Sequence, residues 1–315
     1  MGVVMIFIDG VGLGAEDMQN NPFAFTPTPR ISSMLGGKKL TKEAVGYEGQ
    51  QVSLLALDAT LGVPGIPQSA TGQASLFTGV NAPQLVGKHV NRYPHQPLKE
   101  LLQEKGVFTL LVQSKLEPAF FNAYRPEFFI DLANGLTRPY SCSTFLTYYA
   151  GTPFRTLDDL SQGKAVYMDI TNAFLEKMGY EVSLIKPEEA ALRIATESRY
   201  YHFLLFEYFL SDLVAHRRDE QQAGEIVATL DRFLGELVDN LHADTQLIVT
   251  SDHGNMEDMS HGEHTLNPVP ALVAGSTRWR RLLAEEVTDI SGIVPAVWSY
   301  LQTTNNSIVR GSGEK

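Results

Sequence analysis

The chain has 315 residues, 43% of them hydrophobic, and a formal net charge of −11. This length and apolar content exclude a disordered chain and predict one large α/β domain or a core with a smaller insert. The negative charge excludes broad electrostatic binding to nucleic acid or anionic membrane, while the single cysteine, Cys142, excludes an internal disulfide and suits a reducing compartment.

Residues 3–8 form a continuous apolar run that empties into Asp9-Gly10, the pattern of a central parallel strand buried on both faces. The run is too short for the apolar core of a signal peptide, and no stretch is long enough to span a bilayer, so a cytoplasmic location is expected. After Gly and Pro punctuation at 64–67, residues 69–79 read as a helix with Ser69 as its N-cap and Gly79 as its stop. Residues 97–105 form an amphipathic helix on Leu98, Leu101 and Leu102; Gly106 ends it, and the apolar residues 107–112 predict a strand. From 117 to 183 aromatics crowd together with Pro, Thr and Ser without helix–strand alternation, which predicts an inserted cap. Periodicity returns in a helix over 187–197, a strand over 200–206 and a long amphipathic helix over 224–241. A buried strand, 247–250, then empties into Ser251-Asp252-His253-Gly254, and a strand at 270–274 and a helix near 291–301 close the core ahead of a loose tail, 303–315. The expected fold class is α/β: a doubly wound, mostly parallel sheet built from residues 1–116 and 184–315, with 117–183 as a small inserted cap.

Polar residues sit just beyond several of these apolar runs: Asp9, Asp212 with His216, Asp252 with His253, and His264, while Ser69 heads a helix. Each has an ordinary reading when taken alone. Asp9-Gly10 suits a strand-ending turn, Ser69 a helix cap, the Asp212/His216 pair a solvated helix face, and His264 a surface loop. Together they differ, because a doubly wound sheet gathers the ends of its parallel strands along one edge, the usual ligand crevice. Asp212 and His216 are one helical turn apart and can reach one ion. Asp252 and His253 directly follow a buried strand, a costly place for polar groups unless something satisfies them. A serine at a helix N-terminus lies where backbone donors favour a phosphate, and a nearby cation would lower its pKa for nucleophilic attack.

The order Asp9, the Ser69 helix ending in Thr78-Gly79, Asp212-x-x-x-His216, Ser251-Asp252-His253-Gly254 and His264-Thr-x-Asn-Pro-Val-Pro resembles the alkaline phosphatase superfamily of metalloenzymes. Within it the likeness is to cofactor-independent phosphoglycerate mutases and phosphopentomutases. The resemblance implies that Asp9, Ser69, Asp252 and His253 hold one metal, and Asp212, His216 and His264 a second, with His261 as the rival to His264. Carboxylate and imidazole ligands without thiolate suit two Mn²⁺ or Zn²⁺ ions, which clamp the oxygens of an in-line phosphoryl displacement. The implied reaction is transfer from a small phosphorylated metabolite to Ser69, in a phosphomutase or phosphomonoesterase. A phosphodiesterase and a non-catalytic metal-binding protein of the same fold are the alternatives. The insert, about seventy residues, is shorter than the domain whose arginines hold substrate in such mutases, so those arginines do not transfer. Lys88, His89, Arg92, Arg125, Arg138 and Arg155 are the candidate substrate contacts, each with an ordinary reading as solvated surface charge. Gln73 stands where those mutases carry His, and the Ser69-Ala70-Thr71 sequence lacks the Pro and Arg pattern of sulfatases.

Overall fold

The computed structural model describes residues 2–311, with side chains as far as Thr303. Among the described residues, six strands form one sheet: β1 (Gly2–Ile8), β2 (Val52–Leu57), β3 (Pro118–Phe120), β4 (Phe203–Tyr208), β5 (Thr245–Thr250) and β6 (Val269–Ala274). Their order is β2-β6-β5-β1-β4-β3. β1 pairs in parallel with β4 and β5, β3 pairs in parallel with β4, and β6 runs antiparallel to both β5 and β2. The expected α/β class with a mostly parallel sheet is therefore what the chain adopts.

Every residue of β1 is buried, as an all-apolar central strand demands. Its alternate side chains enter two cores. Val3, Met5 and Phe7 pack with Leu76, Phe77 and Leu102, whereas Val4, Ile6 and Ile8 pack with Ile194, Leu230 and Phe233. Phe7 meets Phe77 edge to face at 5.5 Å, fastening the Ser69–Thr78 helix to the middle of the sheet. Burying one side chain of this size contributes about 1.5–3 kcal/mol.

Three local expectations are corrected. Residues 107–112 belong to a helix, Val107–Gln113, in which Val107, Phe108 and Leu111 are buried while Val112 is exposed. A short apolar run has no decisive period, and one-sided burial selects the helix here. Gly106 separates it from the preceding Gln96–Lys105 helix and leaves no room for a side chain, since a Cβ there would lie 2.3 Å from the Leu102 carbonyl oxygen. The cap position before Ser69 belongs to Gln68, which makes no side-chain cap bond, and Ser69 is the first helical residue. The last helix runs Ile293–Gly311, so much of the expected tail is helical, and residues 312–315 lie outside the described residues.

The segment expected to form an insert contributes β3 to the sheet edge and the Cys142–Tyr149 helix to the layer beside the Ser69 helix. In the same segment, Tyr124, Phe128, Tyr140 and Phe154 make an aromatic cluster with ring centroids 3.9–5.4 Å apart. Among the described residues no helix is long and apolar enough to cross a membrane.

Candidate metal centre

Strand register assembles the site. Ile8 lies opposite Tyr208 and Phe7 opposite Thr250, so β1, β4 and β5 end at one level and release Asp9, the Leu210–Arg217 helix and Ser251-Asp252-His253 at the same edge. That helix carries Asp212 and, one turn later, His216. β6 is antiparallel, which brings its first residue, and the His264 loop before it, to this edge as well. The seam is tight. Gly10 has φ +66°, and a Cβ there would lie 2.5 Å from Asp212 Oδ1, so only glycine meets both demands. The Val11 N–H donates to Ser251 Oγ at 2.9 Å and the Gly10 N–H to Asp252 Oδ1 at 3.4 Å, tying the two loops together.

Three imidazoles point their Nε2 atoms into this space. His264 donates from Nδ1 to the Pro67 carbonyl at 2.9 Å and His216 to that of Gly262 at 2.8 Å, while His253 Nδ1 lies 3.3 Å from the Gly254 carbonyl. With Nδ1 committed to backbone, Nε2 is the ring atom turned toward the acidic groups, the arrangement that orients metal-binding histidines. His253 Nε2 is 3.3 Å from Asp9 Oδ1, 3.6 Å from Asp252 Oδ2 and 3.1 Å from Ser69 Oγ. His216 Nε2 is 3.2 Å from Asp212 Oδ2 and 3.2 Å from His264 Nε2. Among the described residues, two groups have all ligand atoms within 4.8 Å of one another: Asp9, Asp252 and His253, and Asp212, His253 and His264.

The electrostatics fit cations. Asp9 and Asp252 are buried side by side, and Asp9 Oδ1 and Asp252 Oδ2 have no hydrogen-bond partner. Burial, reinforced by mutual repulsion and by Asp212, raises Asp9 well above the carboxylate range; burial and the Asp212 charge push Asp252 up to about 7. Burial lowers His253 and His264, favouring the neutral form that ligates metal. For Asp212, burial is outweighed by the His216 hydrogen bond and the other imidazoles, which hold it well below the usual range; the same hydrogen bond pushes His216 up to about 9. Orphaned buried carboxylate oxygens facing neutral imidazoles are what divalent cations would satisfy, so the residues present fit a metal centre.

All seven expected ligands, Asp9, Ser69, Asp212, His216, Asp252, His253 and His264, therefore meet at this edge. His261 does not: it is exposed and lies 3.5 Å from Asp258. Beside the cluster opens a cavity of about 1000 Å³ lined by Asp9, Ser69, Asp212 and His216, with Arg92, Arg125 and Arg138 among its walls. Lys88, His89 and Arg155 do not line it. His89 bonds the Val63 carbonyl, and Arg155 bonds the Tyr201 hydroxyl, ahead of β4 at the opposite end of the sheet. Sequence reasoning missed Arg217 and Glu207, which also face the cavity, and Asn255, whose amide donates to Asp212 Oδ1 at 2.7 Å. It passed over Glu257 too, although the polar stretch Asp252–Glu257 directly after a buried strand was the available signal. Gln73, noted as a departure, donates to Asp9 Oδ2 at 3.4 Å.

Residues 163–303 match the family model of the Metalloenzyme superfamily, a segment that holds Asp212, His216, Asp252, His253 and His264 but neither Asp9 nor Ser69. Curated relatives include the 2,3-bisphosphoglycerate-independent phosphoglycerate mutases of Ehrlichia ruminantium (strain Gardel), 29% identical over 110 residues, and of Cereibacter sphaeroides, 34% identical over 99 residues. These alignments cover 32% and 29% of this chain, and the chain spans only 22% and 20% of those relatives' own length. Among solved structures, the PH0037 protein from Pyrococcus horikoshii is similar in fold, with a TM-score of 0.53, 15% identity, and coverage of 88% of this chain and 86% of that one. The match over residues 163–303 and the phosphoglycerate mutase alignments agree with the resemblance carried by the ordered motifs.

Proposed function

We propose that this metalloenzyme-superfamily chain moves the phosphoryl group of a small phosphorylated metabolite through Ser69, as a phosphomutase or phosphomonoesterase. One observation carries the reading. Ser69, the first residue of a helix, places Oγ 3.1 Å from His253 Nε2 and beside two buried carboxylates with unpartnered oxygens. A lone cap serine has no reason to sit there.

Asp9, Asp252, His253 and Ser69 would hold one divalent cation and Asp212, His216 and His264 the other, with Mn²⁺ or Zn²⁺ suited to these donors. Bound cations supply positive charge that lowers the serine pKa and disperses the charge of the transferring group. The chain's own residues do the rest. The helix beginning at Ser69 directs its N-terminal dipole toward an incoming phosphate. Asn255 and Gln73 hold Asp212 and Asp9 in place through their amides. Arg92, Arg125 and Arg138 line the cavity and would bind a second anionic group of the substrate, while the Tyr124/Phe128/Tyr140 wall shields it from water.

The similarity to phosphoglycerate mutases favours a mutase, yet it spans about a fifth of those proteins. The test is to incubate the Mn²⁺-loaded protein with 3-phosphoglycerate, ribose 1-phosphate and a chromogenic phosphomonoester. An isomer without free phosphate identifies a mutase; free phosphate identifies a phosphatase. Activity on diesters alone, or turnover unchanged in Ser69→Ala, refutes the proposal.

A further inference from the structure

Glu257 ligates nothing in the proposed centre, yet its carboxylate joins the three loops that carry most of the ligands. Oε2 accepts the Gly12 N–H at 2.8 Å from the loop after β1 and the Asn255 N–H at 2.8 Å from the loop after β5. Oε1 accepts the Thr265 hydroxyl and, at 3.1 Å, the Asn267 amide, both just beyond His264. The side chain is 3% exposed, so all four bonds are made away from water. Its neighbours are shaped around it: a Cβ on Gly12 would lie 2.2 Å from Oε1, and a Cβ on Gly254 2.3 Å from the same atom.

Resting on the two-cation reading, we infer that Glu257 is the positioning residue that sets the two ligand groups against each other. Asp9 is three residues before Gly12, His253 two before Asn255, and His264 adjacent to Thr265. One carboxylate thus fixes a ligand-bearing backbone on each side of the centre. Asn255 extends the link, because its N–H binds Glu257 while its amide binds Asp212. The two backbone donors are fixed in direction by the chain, whereas the Thr265 hydroxyl and the Asn267 amide can rotate toward other partners. An acceptor at Oε2 is therefore the essential part, and glutamine can supply it where methionine, of similar length, cannot.

The experiment is a Mn²⁺ titration of the full chain, followed by electron paramagnetic resonance, on wild type, Glu257→Met and Glu257→Gln. Folding is checked by circular dichroism. The wild type should show the exchange-coupled spectrum of a close ion pair. Glu257→Met should bind Mn²⁺ about 10- to 100-fold more weakly, as loss of a group that orients ligands typically does, and show isolated-ion signals in place of the coupled spectrum. Glu257→Gln should recover the coupled spectrum with affinity within a few-fold of wild type. Should Glu257→Met fail to fold, Gly12→Ala decides, since its methyl group pushes the carboxylate aside without removing it and should weaken Mn²⁺ binding at least several-fold. A folded Glu257→Met, or in its place Gly12→Ala, with wild-type affinity and coupling overturns the inference alone. A wild type that takes up no Mn²⁺ overturns the metal reading itself.

Discussion

Glu207→Gln should make the metal-free protein more stable at neutral and alkaline pH. Glu207 is the penultimate residue of β4 with 5% exposure, its carboxylate hydrogen-bonded by Ser143 and its backbone paired with the Asn122 side chain. Burial, against the Ser143 bond and with the Asp252 charge, pushes it from 4.5 up to about 7. The folded state therefore holds a proton that the unfolded state releases between these values, and stability falls as pH rises through that window. At about 1.4 kcal/mol per tenfold change in proton affinity, the full effect is about 3 kcal/mol above pH 7 and nil below pH 4.5. Glutamine keeps the shape and an acceptor for Ser143 but has no charge to bury. The assay is urea unfolding of chelator-treated protein from pH 5 to pH 8. Wild type should lose about 2.5 kcal/mol more than Glu207→Gln across the range, the first part of the effect being already spent at pH 5. Parallel curves for the two proteins would refute the reasoning, because they would mean that Glu207 does not change its ionisation on folding.

Ser69→Ala should lower phosphomonoester turnover by several orders of magnitude, while metal analysis still finds ions held by Asp9, Asp252 and His253. Gly72→Ala should cost about 1–3 kcal/mol in thermal or urea unfolding, since its Cβ would lie 2.7 Å from the Asp252 carbonyl oxygen and 3.0 Å from Asp252 Cβ. Arg92→Ala and Arg138→Ala should raise KM about tenfold, the worth of one charged hydrogen bond, whereas Arg155→Ala should leave KM unchanged because it lies outside the cavity.

The central strands and the cluster of acids and histidines at their ends were legible because both leave strong local signals. β1 is an unbroken apolar run and β5 carries Leu247-Ile248-Val249, while acids and histidines directly after a buried strand need a partner whatever the fold. β2 went unrecognised because Val52–Leu57 mixes Ser and Ala with its leucines, and it becomes a strand through pairing with β6. Residues 107–112 misled because a short run of Val, Phe and Leu suits either element until packing chooses its face. Nothing local separates Arg92, in the cavity wall, from Arg155, bound to Tyr201, since only the tertiary fold sets their distance from Ser69. Glu257 lies in the polar stretch after β5, but its role was not legible there, because its partners Gly12 and Asn267 lie far from each other along the chain.

The most direct test of the account is rapid-quench mass spectrometry of the Mn²⁺-loaded protein mixed with a phosphomonoester that it turns over. The account predicts one added phosphoryl group on the peptide containing Ser69, absent when the metal is removed. Steady turnover with Ser69 unmodified at every quench time, and unimpaired in Ser69→Ala, would contradict it.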